Sequence, residues 1–144
     1  MTTLMFWNLF EAGKEAAAGD TGRFAEQVAV VRRHRPDILC VTEGWQWDAD
    51  DRSLFRAAQE AFGYDHAELY ESKTGCHMAI FTRDPITITG FVGEPHLKAF
   101  WHGRYVATLS IPGMTQPFRV VGTHLNPHDP TLRRTEGNFL RTSC

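Results

Sequence analysis

Three residues in this chain carry side chains suited to one piece of chemistry: Asn8, Glu43 and His124. An amide oxygen and a carboxylate are hard ligands, the kind that suit magnesium or manganese rather than zinc. A histidine beside them could hydrogen-bond a phosphoryl oxygen. Each of the three closes a short apolar run: Leu4-Met5-Phe6-Trp7 before Asn8, Ile38-Leu39-Cys40-Val41 before Thr42-Glu43, and Val120-Val121 before Gly122-Thr123-His124. Such runs read as buried strands, and in α/β sheets ligands gather outside the carboxyl ends of the strands. Plainer readings stand beside this one. Glu43 could simply open the next loop, and a strand-end histidine could serve structure alone. His124 and His128 also suggest a zinc pair. An i, i+4 spacing brings two histidines together on a helix, however, and here it spans a strand end and a proline-flanked loop. The zinc reading is therefore set aside.

The elements that must position these residues follow from periodicity and breakers. Residues Glu11 to Gly22 are rich in Gly, Ala and charge, and read as a loop. Asp20 or Thr21 can then cap a helix with Phe24, Ala25, Val28 and Val31 on one face. Arg32, Arg33 and Arg35 crowd its last turn, where cations suit the helix dipole, and Pro36 ends it. The Asp37–Glu43 strand follows, completing a βαβ unit. Beyond Gly44-Trp45-Gln46-Trp47, Asp50 or Asp51 can cap a second helix carrying Leu54, Phe55, Ala58 and Phe62, with Gly63 as its stop. The pattern then changes to strands at Ala67–Tyr70, His77–Thr82 and Ile86–Phe91, with Asp84-Pro85 as a turn. Tyr105–Ile111 and Phe118–Leu125 make a hairpin. Asp129 or Thr131 opens a final helical segment over Leu132 to Leu140. Strands with helices laid on them predict an α/β (α+β) fold with a mixed sheet.

At 144 residues the chain is one domain's worth, and its 42% hydrophobic and 22% charged content is ordinary for a globular protein. A formal net charge of −2 leaves no basic footprint that demands nucleic acid, although a local groove can be basic on a neutral protein. Cys40, Cys76 and Cys144 are an odd set with no close pairing, and Cys40 falls inside an apolar strand, which favours reduced thiols and a cytoplasmic setting. No signal peptide is visible at the N-terminus. No apolar run approaches the roughly 18 residues that a membrane helix needs. Trp45, Trp47 and Trp101 could stack on a base or line a lipid groove, or simply pack.

Four blocks, in order, resemble one family: Phe6-Trp7-Asn8, the Pro36–Glu43 stretch, Gly75-Cys76-His77-Met78-Ala79-Ile80-Phe81-Thr82-Arg83-Asp84-Pro85-Ile86, and Gly122-Thr123-His124-Leu125. That family is the endonuclease/exonuclease/phosphatase superfamily, which includes DNase I, exonuclease III-type repair endonucleases, neutral sphingomyelinases, inositol-polyphosphate phosphatases and deadenylases. The resemblance implies a DNase I-like sandwich of two sheets with flanking helices. It implies a magnesium- or manganese-dependent phosphoesterase, nuclease or phosphatase, that hydrolyses a phosphate ester by metal-assisted attack of water. It places Glu43 as the principal metal ligand, Asn8 in the metal site orienting metal or phosphate, and His124 against the scissile phosphate. Arg104 falls near a family position that is commonly basic, so it is expected either to contact phosphate or to be a solvated strand arginine. An arginine after Asp129-Pro130, Arg133 or Arg134, also fits the family pattern.

The family's later Gly-Asp-x-Asn and Ser-Asp-His blocks do not appear among the 144 residues. The expectation is thus a single domain over 1–144 that is incomplete, truncated after its first half, with weak or no turnover by itself. The alternative is a non-catalytic remnant or binding module that keeps the scaffold. One sheet's inner face is expected to lack its cover, which would favour self-association. The substrate stays open among nucleic acid, phosphoinositides and phospholipid head groups.

Overall fold

β1 (Leu4–Ala12) and β2 (Ile38–Trp45) run parallel in register Leu4↔Ile38 to Asn8↔Thr42, joined through α1 (Lys14–Ala17) and α2 (Gly22–His34). This is the βαβ unit that the apolar runs and Pro36 predict. The structure, a computed structural model, describes residues 1–94 and 99–143. After β2 come α3 (Ala49–Phe62), β3 (His66–Tyr70), β4 (Cys76–Thr82), β5 (Thr87–Glu94), β6 (Arg104–Ser110), β7 (Phe118–Thr123) and α4 (Pro130–Ser143). The strands form two sheets, one of four in the order β1-β2-β4-β3 and one of three in the order β5-β6-β7. β4 is antiparallel to both its neighbours, so the first sheet is mixed; the second is antiparallel throughout. The architecture is the DNase I-like α/β sandwich with flanking helices.

Alternation along the strands sends side chains into two cores. On one face of the first sheet, Leu9, Leu39, Val41, Ala79 and Phe81 meet Val31 of α2 and Phe55, Ala58 and Phe62 of α3. On the other face, Ile38, Cys40, Met78 and Ile80 meet Tyr105, Ala107 and Leu109 of the second sheet. α3 carries the predicted stripe and ends at Gly63, in the left-handed region at φ 77°. On α2 the predicted face shifts: Ala25 is exposed, and Gln27 is buried with its Nε2 donating to the Leu9 carbonyl. A polar side chain takes an inward position there because a strand carbonyl satisfies it.

Three strands cannot cover four. Leu4 and Phe6, which share the side of Ile38 and Cys40, stay 52% and 59% exposed on the edge strand β1. The expected uncovered inner face is therefore confined to the β1 margin, because the two sheets otherwise bury one another. Trp47, expected in a loop and there either to stack on a ligand or simply to pack, packs: it is fully buried against Phe55 and Phe81. Trp101 remains exposed. The predicted loop from Glu11 overlaps the last two residues of β1, Glu11 and Ala12, and contains α1. Among the described residues no helix is long and apolar enough to cross a membrane. Cys144 lies outside the described residues; Cys40 and Cys76 are free thiols.

Candidate functional site

Two bulges on paired strands build the centre of the site. On β2 the register with β4 slips between Thr42↔Met78 and Gly44↔His77, leaving Glu43 as the extra residue, at φ 64°. On β1 the register with β2 slips between Asn8↔Thr42 and Ala12↔Gly44, with Phe10 and Glu11 at φ 52° and 56°. A bulge re-aims side chains that regular pleating would send to opposite faces. Positive φ at non-glycine residues costs of order 1–3 kcal/mol each, and such strain concentrates at functional sites. Gly44 belongs to the same device: a Cβ there would fall 2.4 Å from the Trp47 indole, so only glycine lets that ring close under the bulge.

The result is a tight polar cluster. Asn8 Nδ2 donates to Glu43 Oε1 at 2.7 Å, the Glu11 backbone N–H donates to Glu43 Oε2 at 3.1 Å, and His124 Nε2 lies 3.4 Å from Glu43 Oε1. Asn8, Glu43 and His124 are thereby brought together as expected, with His124 one residue past the end of β7. The Asn8 amide orientation is fixed by its partners, because its Oδ1 accepts the Phe10 backbone N–H at 2.8 Å. Flipping it would face two donors together at Phe10 and two acceptors together at Glu43. Asn8 therefore offers Glu43 a proton and offers its oxygen to the Phe10 backbone N–H, an arrangement that holds the carboxylate in one direction.

Arg104 has different surroundings from those expected. It is buried, its Nε donates to Glu94 Oε2 at 2.6 Å, and its guanidinium lies 5.8 Å from the Phe100 and Phe139 ring centres. It is neither solvated nor presented as an open cation. Its Cα pairs with Thr123, next in sequence to His124. Arg133 donates from Nη1 to the Asn126 and Pro127 carbonyls, and buried Glu136 accepts from the backbone N–H groups of Trp101 and Asn126, both at 2.7 Å. α4 thus ties down the loop that follows His124 and the segment that leads into His102.

His102 is the residue that the sequence reading passes over. Its ring stacks on His124 with centroids 4.3 Å apart and planes 9° apart. The β6–β7 register could have pointed to it: Arg104↔Thr123 puts the residues just before β6 beside those just after β7. Burial, and then His124, His128 and Lys73 nearby, push the His102 pKa down to about 4, and burial also lowers that of His124 despite the Glu43 carboxylate. A histidine near 6.5 in the unfolded chain and about 4 in the folded one means that the unfolded chain binds more protons between those values. The contribution of this ring to stability is thus full above about pH 6.5, falls as pH drops towards 4, and levels off below. The expected loss is on the order of 2 kcal/mol, read by urea denaturation from pH 7.5 to 4.5. His102→Phe removes this ring's share, and an unchanged slope in that variant contradicts the assignment.

Gly103 closes the segment. Its φ is 94°, and a Cβ would fall 1.8 Å from Tyr70 Oη. Gly103→Ala is expected to cost more than about 2 kcal/mol from backbone strain and overpacking together. A thermal midpoint within a degree of wild type would show that Tyr70 yields.

Comparisons with known proteins agree with this fold. The model of the Endonuclease/Exonuclease/phosphatase family matches residues 5–141. No curated protein matches the sequence. Among solved structures, TDP2 from C. elegans superposes with a TM-score of 0.71 at 18% identity, over 98% of this chain and 41% of that one. The human Nocturnin catalytic domain with bound sulfate gives 0.65 at 16% identity, over 98% and 57%. ANGEL2, a 2',3'-cyclic phosphatase, gives 0.64 at 19% identity, over 94% and 44%. The chain spans about half the length of the solved proteins that it matches.

Proposed function

Because the chain belongs to the Endonuclease/Exonuclease/phosphatase family, we propose that it is a divalent-metal-dependent phosphoesterase whose reaction is organised around Glu43. The observation that carries this reading is the Glu43 carboxylate itself, set in a strained bulge and held by Asn8 Nδ2, the Glu11 amide and His124. Among the described residues no group of three His, Cys, Asp or Glu is placed to hold a metal. One well-held carboxylate still fits magnesium or manganese, which keep several waters and take one or two carboxylates plus substrate phosphate. Such a cation offsets phosphate charge and lowers the pKa of a bound water.

The chain's own residues then divide the work. Glu43 would hold the cation, with Asn8 and the Glu11 amide fixing the direction of its oxygens. His124 would present a ring nitrogen to a phosphoryl oxygen and steady the charge growing there. Arg104, paired to Glu94 beside the His124 strand end, takes the part of a support for that strand rather than a phosphate contact. The substrate class is a phosphate ester carried by nucleic acid, a phosphoinositide or a phospholipid head group. The free thiols Cys40 and Cys76, with burial pushing Cys40 up to about 11, support a reducing, cytoplasmic setting. Self-association through the exposed Leu4 and Phe6 of β1 is part of the same reading, and sedimentation of wild type against Phe6→Ser tests it.

Hydrolysis of bis(p-nitrophenyl) phosphate with magnesium or manganese tests the activity. The expected result is slow, metal-dependent turnover that His124→Ala lowers. Turnover unaffected by chelation would contradict it. The single carboxylate favours a second reading, a binding module that takes up metal and phosphate without cleaving. Metal uptake with no turnover at any metal concentration would select that reading.

A further inference from the structure

We propose that His102 is a positioning residue that fixes the ring of His124 against Glu43. The inference rests on the reading of His124 as the phosphate-facing residue. Apart from Glu43, His124 has little to orient it: its Nδ1 is buried and has no hydrogen-bond partner among the described residues. One contact through Nε2 sets a distance without setting a ring plane. The near-parallel stack with His102 supplies the plane, since rotation of the His124 ring would drive its edge into the neighbouring face.

His102 can act as that wall because it is itself held at both ends. It is 4% exposed. Its carbonyl accepts from Ser72 Oγ at 2.7 Å, and its Nδ1 lies 2.6 Å from Thr74 Oγ1, which in turn lies 2.8 Å from Ser72 Oγ. Counting protons fixes the tautomer. Ser72 has one hydroxyl proton and gives it to the His102 carbonyl, so the Ser72–Thr74 bond uses the proton of Thr74. Thr74 then has only lone pairs for His102, and Nδ1 must be the donor. Nε2 is left as a bare lone pair, which agrees with its being buried without a partner among the described residues. The anchor extends further: the Ser72 backbone N–H donates to His77 Nδ1 at 3.0 Å, which places the His77 proton on Nε2, 2.8 Å from Asp48 Oδ1. Residues of the β3–β4 turn on one sheet thus clamp the histidine that orients a residue on the other.

Long-range proton–nitrogen spectra of the histidine side chains, on the full 144-residue chain without metal or substrate, test this. Wild type is expected to show His124 as a single Nε2–H tautomer and His102 as a single Nδ1–H tautomer. In His102→Ala the His124 nitrogens should lose the single-tautomer signature and move towards the averaged position. In His102→Phe, which keeps a ring face, they should stay. Thr74→Val should convert His102 to a tautomer mixture, and this variant together with His102→Phe keeps the test readable if His102→Ala does not fold. Averaged His124 tautomers in wild type, an unchanged His124 signature in His102→Ala, or equal disturbance in His102→Phe and His102→Ala would each overturn the proposal. Because the readout needs neither metal nor turnover, it is independent of whether Glu43 binds a cation.

Discussion

Glu43→Gln is expected to lower metal-dependent phosphoester hydrolysis by at least about 100-fold, the scale seen when one preorganised electrostatic group is removed from an active site. The substitution keeps the shape and removes the charge. It also breaks a hydrogen-bond pattern that only a carboxylate completes. Both Glu43 oxygens accept, one from Asn8 Nδ2 and one from the Glu11 amide. A glutamine must turn its NH2 towards one of these donors, leaving two N–H groups face to face, which costs roughly 1–3 kcal/mol. The bulge at φ 64° gives the side chain little room to escape, since both strands are pinned on either side of it. Steady-state hydrolysis of bis(p-nitrophenyl) phosphate, with the variant's fold checked by circular dichroism, gives the number. A loss below threefold in a folded variant would remove Glu43 from the reaction.

Phe81→Ala is expected to have the largest effect on stability, about 3–5 kcal/mol. Phe81 is fully buried at the centre of the sheet–helix core. Its ring has Trp47, Phe55, Phe62 and Tyr64 around it at centroid distances of 6.2, 5.6, 5.7 and 5.8 Å. Those rings come from α3 and the segments flanking it, and they cannot all move into the space that one phenyl leaves. Because domains of this kind have only about 5–15 kcal/mol in hand, the variant should unfold at a clearly lower urea concentration. A cost under about 1 kcal/mol would mean that the rings relax into the gap.

Much of this fold was legible in the sequence because it is written in local signals. Pro36 and Gly63 end helices, the apolar run 38–41 opens β2, and the α3 stripe is the stripe that packs. The cluster of Asn8, Glu43 and His124 was also legible, since strand ends in an α/β sheet converge. The bulges were not. Nothing in Asn8–Ala12 or Thr42–Gly44 announces an extra residue, and a bulge arises from the pairing of two strands rather than from either one. Because of it, Asn8 reaches Glu43 directly and donates to its carboxylate. Arg104 misled for a related reason: its pairing with Glu94 depends on the β5–β6 register, where the two residues face each other. His102 and Thr74 come from different sheets, 28 residues apart, and meet only when the sandwich closes. Their types are polar and their spacing carries no motif.

The account turns on Glu43 as a cation ligand, and manganese binding followed by electron paramagnetic resonance tests that most directly. Titrating manganese into the full chain should show one saturable site, lost in Glu43→Gln and weakened in Asn8→Ala, where the carboxylate keeps its charge but loses its direction. Equal binding by wild type and Glu43→Gln would contradict the account, because the cation would then be held somewhere other than the bulge that presents this carboxylate.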